Sequence, residues 1–449
     1  MKTPTGNVFS FYMSGLRTRG VLCVGAMIVS LLAGCGTFSR LGKNVEQLEK
    51  DVFVRGHVAQ TANQAGQVVV VVLSRNGEEP VKFFDLAVLS QDETDFAFSL
   101  PPADGYQIGV FRDENGDEHF QENEPVWLSG ELRAQDFKAD RRSPVLEVTL
   151  HPGLPIPPEV LARLRDERAG RKLVELSSGN NIRPSFGKIE EFDSPRFMPD
   201  AAKLGLWEPM TFLNKYGAGI YFLEPYDPAR IPVLFVHGAN GSGGDWTPFV
   251  TMLDKTKYQF WIYSYPSGLR IEESARILQS AVARVHERYG FKRLDVIAHS
   301  MGGLVSRKFV LDATEGGNAP YLCKYITLST PWAGHEAAGL GVKHSPAVIP
   351  CWLDLQPNSE FQAQLFRRTL PDSIEHYLAF SFHGSSVIAL PESNDGVVSI
   401  LSELAPSAQQ QARAMRGFDV THRSILSSRE AADWVSGILD APLPKKKKK

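Results

Sequence analysis

The chain has 449 residues, more than one ordinary domain needs and enough to bury a large core. Its 43% hydrophobic and 22% charged content is that of a soluble globular protein, which excludes a largely disordered chain. A formal net charge of −3 excludes the basic surface that a nucleic-acid partner requires.

Arg17 and Arg19 precede the apolar run from Val21 to Leu32, which ends Leu32-Ala33-Gly34-Cys35. That run is too short to span a bilayer, and its basic flank and small-residue end read as a cleavable export signal. The ending resembles a bacterial lipobox, and the resemblance implies cleavage before Cys35 and acyl chains on that cysteine. Residues 1–34 are thus predicted as a lipoprotein signal peptide and 35–50 as a linker. The resemblance puts the protein in a bacterial cell envelope, held to a membrane through its lipidated N-terminus; several acyl chains give stable attachment where one does not. Gly36, where an aspartate would favour inner-membrane retention, points to the outer membrane, facing the periplasm or the surface. An ordinary signal peptide or an uncleaved anchor is the alternative, and Met13 competes with Met1 as the start. Cleavage removes three basic residues and no acid, so the net charge falls to −6. Of the four cysteines, Cys23 leaves with the signal. Whether Cys323 and Cys351 pair in an oxidising compartment stays open.

From residue 51 to 150 short β-type runs alternate with turn residues. The runs are Val52–Val58, Gln67–Leu73, Val81–Leu89, Phe96–Leu100, Tyr106–Arg112 and Val145–Leu150, punctuated by Asn63, Asn76-Gly77 and Pro101-Pro102. Such spacing predicts a small β-sandwich. Within it, Asp113, Asn115, Asp117 and Glu124 fall at positions 1, 3, 5 and 12 of an EF-hand-like loop. Glu118 stands where that loop needs glycine, so the expectation is either a structural calcium site in a sandwich loop or a solvated acidic turn. Pro152 to Pro158 form a break, Pro157-Pro158-Glu159 opens a short helix, and residues 151–203 read as a connecting segment.

From 204 to 440 strands and helices alternate. Ile231–Val236, Phe260–Tyr263, Leu294–Ala298, Tyr325–Leu328 and Leu378–Phe382 read as strands. Trp246–Leu253, Glu272–Tyr289, Leu304–Leu311 and Ala431–Leu439 read as helices. The pattern predicts an α/β fold, a mostly parallel sheet with helices on both faces. Residues 335–375 are too long for a simple connection and read as a cap or lid. Residues 441–449 end in five lysines, Lys445 to Lys449, a solvated basic tail.

Strand Leu294–Ala298 runs into His299-Ser300-Met301-Gly302-Gly303. A turn from strand to helix in so few residues needs small side chains two before and two after the serine, here Ala298 and Gly302, and it lifts the hydroxyl above the sheet. At this point the chain resembles the α/β-hydrolase superfamily over roughly Leu204 to Leu439. That resemblance implies a triad in the order serine, acid, histidine. It carries onto Ser300, then Asp395 in Ser393-Asn394-Asp395-Gly396, with Glu392 as rival, then His422, the one histidine beyond Asp395. The oxyanion donors it implies are the backbone amides of Met301 and of Ala239, in the loop His237-Gly238-Ala239. Thr330-Pro331-Trp332-Ala333-Gly334 and the HSMGG run resemble lipases and GPI-inositol-deacylase-like hydrolases, which makes Trp332 a candidate pocket wall. The implied function is hydrolysis of carboxylic esters, those of lipids or long acyl chains, with no cofactor for catalysis. An acyltransferase, or a non-catalytic scaffold or adhesion lipoprotein on the same fold, are the competing readings.

Overall fold

The computed structural model describes residues 36–59, 66–77, 79–90, 93–116, 119–138, 140–165, 180–384 and 393–443. Residues 36–50, read above as a linker, form a helix, α1. Its apolar side has a place to go: Leu41 is fully buried and Phe38 meets Trp207 edge-on at 5.6 Å.

The sandwich follows. Its strands are β1 (Val52–Val58), β2 (Gln67–Arg75), β3 (Lys82–Leu89), β4 (Asp95–Leu100), β5 (Gly105–Asp113), β6 (Val126–Leu128) and β7 (Arg142–Val148). Helix α2 (Pro158–Leu164) and β8 (Asn181–Ile182) come next. Two four-stranded sheets result, ordered β7-β1-β4-β8 and β3-β2-β5-β6. Residues 68–73 of β2 are apolar without alternation because both faces are covered. Val68, Val70 and Val72 face the opposing sheet, and Val69, Val71 and Leu73 pack with Val160 and Leu164 of α2. The short β6 and the β8 pairing lie outside the sequence expectation; two or three residues give no periodicity to read.

Residues 151–203 do more than connect. Strand β9 (Pro184–Ile189) joins the large sheet as its edge, so that layer begins about twenty residues before the predicted start at 204. Helices α3 (Pro199–Trp207) and α4 (Pro209–Tyr216) lead to β10 (Ala218–Phe222). Gly219 makes the β9–β10 contact possible: at φ 148° a Cβ there would sit 2.0 Å from the Ser185 carbonyl oxygen. Asn44 of α1 caps α4, its Oδ1 accepting the Met210 and Thr211 N–H groups at 2.9 and 3.1 Å.

The chain continues through β11 (Ile231–Val236), α5 (Thr247–Thr251), β12 (Tyr258–Ser264), α6 (Ile271–Tyr289), β13 (Leu294–His299), α7 (Met301–Ala313) and β14 (Leu322–Leu328). Three short helices, α8 (Glu336–His344), α9 (Pro350–Leu355) and α10 (Glu360–Leu365), precede β15 (Glu375–Ser381). After α11 (Ile400–Glu403), α12 (Pro406–Gln409) and β16 (Ala414–Phe418), helix α13 (Arg429–Asp440) closes the fold. The eight-stranded sheet runs β16-β15-β14-β13-β11-β12-β10-β9, with β10 antiparallel to β12 and the other pairs parallel. Val296 and Ala298 of the central β13 face the layer holding α6 and α7, while Ile297 faces the layer holding α5 and α13. Burial on both faces explains why residues 296–298 are apolar without alternation; Asp295, ahead of them, is buried and ion-paired with Arg293.

The sandwich docks on α6 through charge. Arg142 pairs with Glu273, Arg276 with Asp140 at 3.2 Å and Arg284 with Asp95 at 3.2 Å. Cys323 and Cys351 are unpaired. No helix among the described residues is long and apolar enough to cross a membrane. Cys35, Asp117, Glu392 and the Lys445–Lys449 tail lie outside the described residues.

Candidate active site

Strand β13 gives way to α7 at Ser300, whose backbone is forced to φ 54°, ψ −133°. A side-chain-bearing residue pays roughly 1–3 kcal/mol for such a conformation, so the surroundings must hold it. They do: the Ser300 N–H donates to the Leu328 carbonyl at 2.9 Å. Gly302 lies so close to β11 that a Cβ would stand 2.4 Å from the Val236 oxygen and 2.5 Å from that of His237. The requirement for a small residue after the serine is therefore a backbone contact. Ala298, at the other small position, is fully buried between Val236 and Thr327 in the sheet, where its methyl fits.

Ser300, His422 and Asp395, separated by up to 122 residues, form one hydrogen-bonded chain. The Ser300 Oγ lies 2.9 Å from His422 Nε2, and His422 Nδ1 lies 2.6 Å from Asp395 Oδ2. The loop after β15 supplies Asp395, which is fully buried; the turn after β16 supplies His422, 5% exposed. The two segments are tied by the His422 N–H, donating to the Asp395 carbonyl at 2.9 Å. Asp395 Oδ1 accepts the Val397 and Val398 N–H groups at 2.9 and 2.7 Å, and Oδ2 accepts the Ser381 hydroxyl at 2.9 Å. Burial pushes the Asp395 carboxyl up. His422, the neighbouring Glu403 and the Val398 N–H outweigh it and hold the group well below the usual carboxylate range. A carboxylate so placed fixes the imidazole with Nδ1 protonated and Nε2 free to accept the serine proton.

Met301 follows Ser300 in the chain, and Ala239 follows Gly238, the glycine that packs on the serine. The loop after β11 presses on Ser300, so that a Cβ on Gly238 would be 2.7 Å from the serine Cβ. Tyr265 donates its hydroxyl to the His237 carbonyl at 2.7 Å and stacks on that ring at 4.3 Å, holding the loop. Among the described residues, neither the Ala239 nor the Met301 N–H has a hydrogen-bond acceptor. An unsatisfied amide next in the chain to the nucleophile, and a second in the loop that presses on it, are the donors a developing oxyanion needs.

Trp332 corrects the expectation of a pocket wall. It is 1% exposed and packed edge-on against Phe366 and His376, a core residue whose ring presents almost no surface to a substrate. A tryptophan one residue beyond a buried β14 loop is drawn inward by its own apolar area. The insertion at 335–375 is the trio α8, α9 and α10, clamped to the domain by Asp354, which accepts from Arg270 and from the Ile271 N–H at 2.7 Å.

Two carboxylates of the acidic sandwich loop, those of Glu124 and Asp113, are used internally. Glu124 accepts the Glu114 and Gln121 N–H groups at 2.8 and 2.9 Å, and Asp113 accepts the Gly116 N–H at 2.7 Å. Asn115 is exposed. Among the described residues, one group of three His, Cys, Asp or Glu ligand atoms comes within metal-binding reach, Asp395, Glu403 and His422, and it belongs to the serine site.

Two members of this site have no role that the sequence motifs assign. His299 donates from Nε2 to the His422 carbonyl at 2.8 Å, and burial holds its pKa down to about 3, so it is neutral. Glu403 is fully buried next to Asp395; its Oε2 accepts the Ser381 N–H at 3.1 Å and its Oε1 has no partner of hydrogen-bond geometry. Burial first, then the Asp395 charge, pushes the Glu403 carboxyl well above its usual range. A Glu at the end of a four-residue helix offers no periodicity from which burial could be read.

A family described as an alpha/beta hydrolase of unknown function matches residues 269–345, which span α6, β13, Ser300 and α7. No curated protein matches the chain. Among solved structures it is similar to the mature Bacillus licheniformis lipase BlEst2, with 18% identity and a TM-score of 0.40 over 49% of this chain and 97% of that one. It is also similar to the lin2722 product of Listeria innocua, with 16% identity and a TM-score of 0.35 over 47% and 94%. The phospholipase PlaB of Legionella pneumophila, solved with thio-NAD, aligns at 16% identity and a TM-score of 0.38 over 47% and 58%. The sheet order and the strand–serine–helix turn at its centre, on which the matched family lies, give this chain an α/β-hydrolase fold with a β-sandwich ahead of it.

Proposed function

We propose that the protein is a serine hydrolase of carboxylic esters that works through an acyl-enzyme on Ser300. The observation that carries this reading is the unbroken chain from Ser300 through His422 to Asp395, together with the free amides of Ala239 and Met301. Ser300 Oγ attacks the ester carbonyl carbon while His422 Nε2 takes its proton. The carbonyl oxygen, now negative, accepts from the two amides. His422 then protonates the departing alcohol, and the same imidazole draws a proton from water to release the acid.

Lipid or long-chain acyl esters are the substrate class this reading favours. The support is the sequence resemblance at Thr330–Gly334 and the lipobox-like end at Cys35, through which the protein would be held to the cell envelope. Labelling with a fluorophosphonate probe tests the chemistry: wild type reacts and Ser300→Ala does not. Failure of the folded wild type to label sinks the reading. A p-nitrophenyl ester series of rising acyl length, run beside phospholipids, tests the substrate class, and loss of membrane fractionation in Cys35→Ser tests the anchor.

A further inference from the structure

Between the outward face of the β7-β1-β4-β8 sheet and helix α6 lies a cavity of about 830 Å³, lined by none of the Ser300, His422 or Asp395 side chains. That volume falls within the roughly 300–1,000 Å³ usual for small-molecule sites. The alternation of β1 creates one wall. Val54, Gly56 and Val58 point into the sandwich, which leaves Phe53 and Arg55 facing α6. Leu48 of α1, Phe186 of β9 and Ile277 of α6 complete an apolar lining, and Val145 and Leu353 at its edge stay 39% and 36% exposed.

The charged groups around this cavity are mostly spoken for. Glu273 pairs with Arg142 and Arg276, Asp140 with Arg276, and Asp95 with Arg284; Glu49 is exposed. Two guanidinium groups have no carboxylate partner, although Arg141 Nη2 donates to the Leu48 carbonyl. Arg55 Nε and Arg141 Nη1 are buried without a hydrogen-bond partner, and among the described residues the Arg55 side chain has no ion pair. A buried cationic donor without an acceptor is costly, and a bound anion relieves that cost. Two guanidinium groups without a carboxylate partner and two orphan N–H donors match an anionic head with two acceptor oxygens, and the rest of the lining matches a hydrocarbon chain.

We propose that this cavity binds a single-chain amphiphile with a carboxylate head, a free fatty acid, its head at Arg55 and Arg141 and its chain along Phe53, Leu48 and Ile277. The site is independent of the chemistry at Ser300. Palmitate is titrated against a fluorescent C16 carboxylate bound to the full chain, in wild type and in Ser300→Ala. Saturable one-to-one displacement is expected, equal in the two proteins. Arg55→Ala and, separately, Ile277→Trp, which fills the cavity, are each expected to weaken palmitate at least tenfold with unchanged circular dichroism. If Arg55→Ala does not fold, Arg55→Gln and Ile277→Trp carry the test. Hexadecanol and lysophosphatidylcholine are expected to bind at least tenfold more weakly, since neither offers a free carboxylate. Absence of saturable binding, loss of binding in Ser300→Ala, indifference to the Arg55 and Ile277 variants, or equal affinity for hexadecanol or lysophosphatidylcholine would each overturn the proposal.

Discussion

His299, the residue before Ser300, donates a hydrogen bond from Nε2 to the backbone carbonyl of His422 at 2.8 Å. The strand that delivers the serine thereby also anchors the turn that delivers the imidazole. Replacing His299 by alanine leaves a buried carbonyl unsatisfied, at a cost of about 1–3 kcal/mol, and frees the His422 turn. The expected outcome is a lowered Tm together with a fall in kcat on a short p-nitrophenyl ester. His299→Gln, which keeps a donor, should recover part of both. Unchanged kcat in His299→Ala would mean that the turn is held by other contacts.

Asp395 and Glu403 share a buried site in which burial and the Asp395 charge push the Glu403 carboxyl well above its usual range. Its folded pKa stands above the ordinary 4.5, so the folded protein keeps the Glu403 proton after the unfolded chain has released it. The sign follows: the wild type loses stability as pH rises above about 4.5, by at most about 1.4 kcal/mol per pH unit until Glu403 itself ionises. Glu403→Gln is neutral at every pH and lacks this loss. Chemical denaturation of both proteins from pH 4 to 9 should show the glutamine variant gaining on the wild type as pH rises. A pH-independent difference would mean that Glu403 is ionised in the folded state.

Gly302 touches the backbone of β11 where no side chain fits. Gly302→Ala places a methyl 2.4 Å from the Val236 carbonyl oxygen, and overpacking of this kind costs typically 1–3 kcal/mol. The same shift moves the first turn of α7 and the Met301 amide. Ester hydrolysis should drop at least tenfold, while Ala298→Gly, which relieves no clash, should keep most activity. Equal activity in the two variants would contradict the close contact drawn here.

The serine site was legible because its chemistry is written in residue identity and order. Ser300 sits in a recognisable turn, Asp395 in a polar loop, and His422 is the sole histidine after it. Strands β2 and β11 were legible from unbroken apolar runs, and β13 from the apolar stretch after Asp295. What escaped depends on tertiary context. Helix α1 gains its stability from Leu41 and from Asn44 on α4, neither of which marks residues 36–50 as a helix. Strand β9 is an edge carrying Pro184 and Gly187, and its place is set by Gly219 of β10 across from it. Trp332 reads equally as wall or core, since an aromatic ring satisfies either, and only packing against Phe366 and His376 decides. Glu403 would be taken for surface by its charge alone.

Asp354 shows how the α8–α10 insertion is held. It is fully buried, yet sits at the N-terminus of α6, where its carboxylate accepts the Ile271 N–H at 2.7 Å and two bonds from the half-exposed Arg270. The helix terminus and the guanidinium both favour a negative charge there. Asp354→Ala removes the acceptor for a buried amide, and the destabilisation should be about 1–3 kcal/mol. Asp354→Asn keeps one acceptor oxygen and should lose less, and the gap between the two variants should shrink little in high salt because the group is buried. Thermal unfolding in 0.1 and 1 M salt measures both effects. If the insertion instead holds to the domain mainly through Cys351, Leu355 and Phe361, all three packed in the apolar core beside α6 and α7, then Asp354→Ala would leave the Tm where it was.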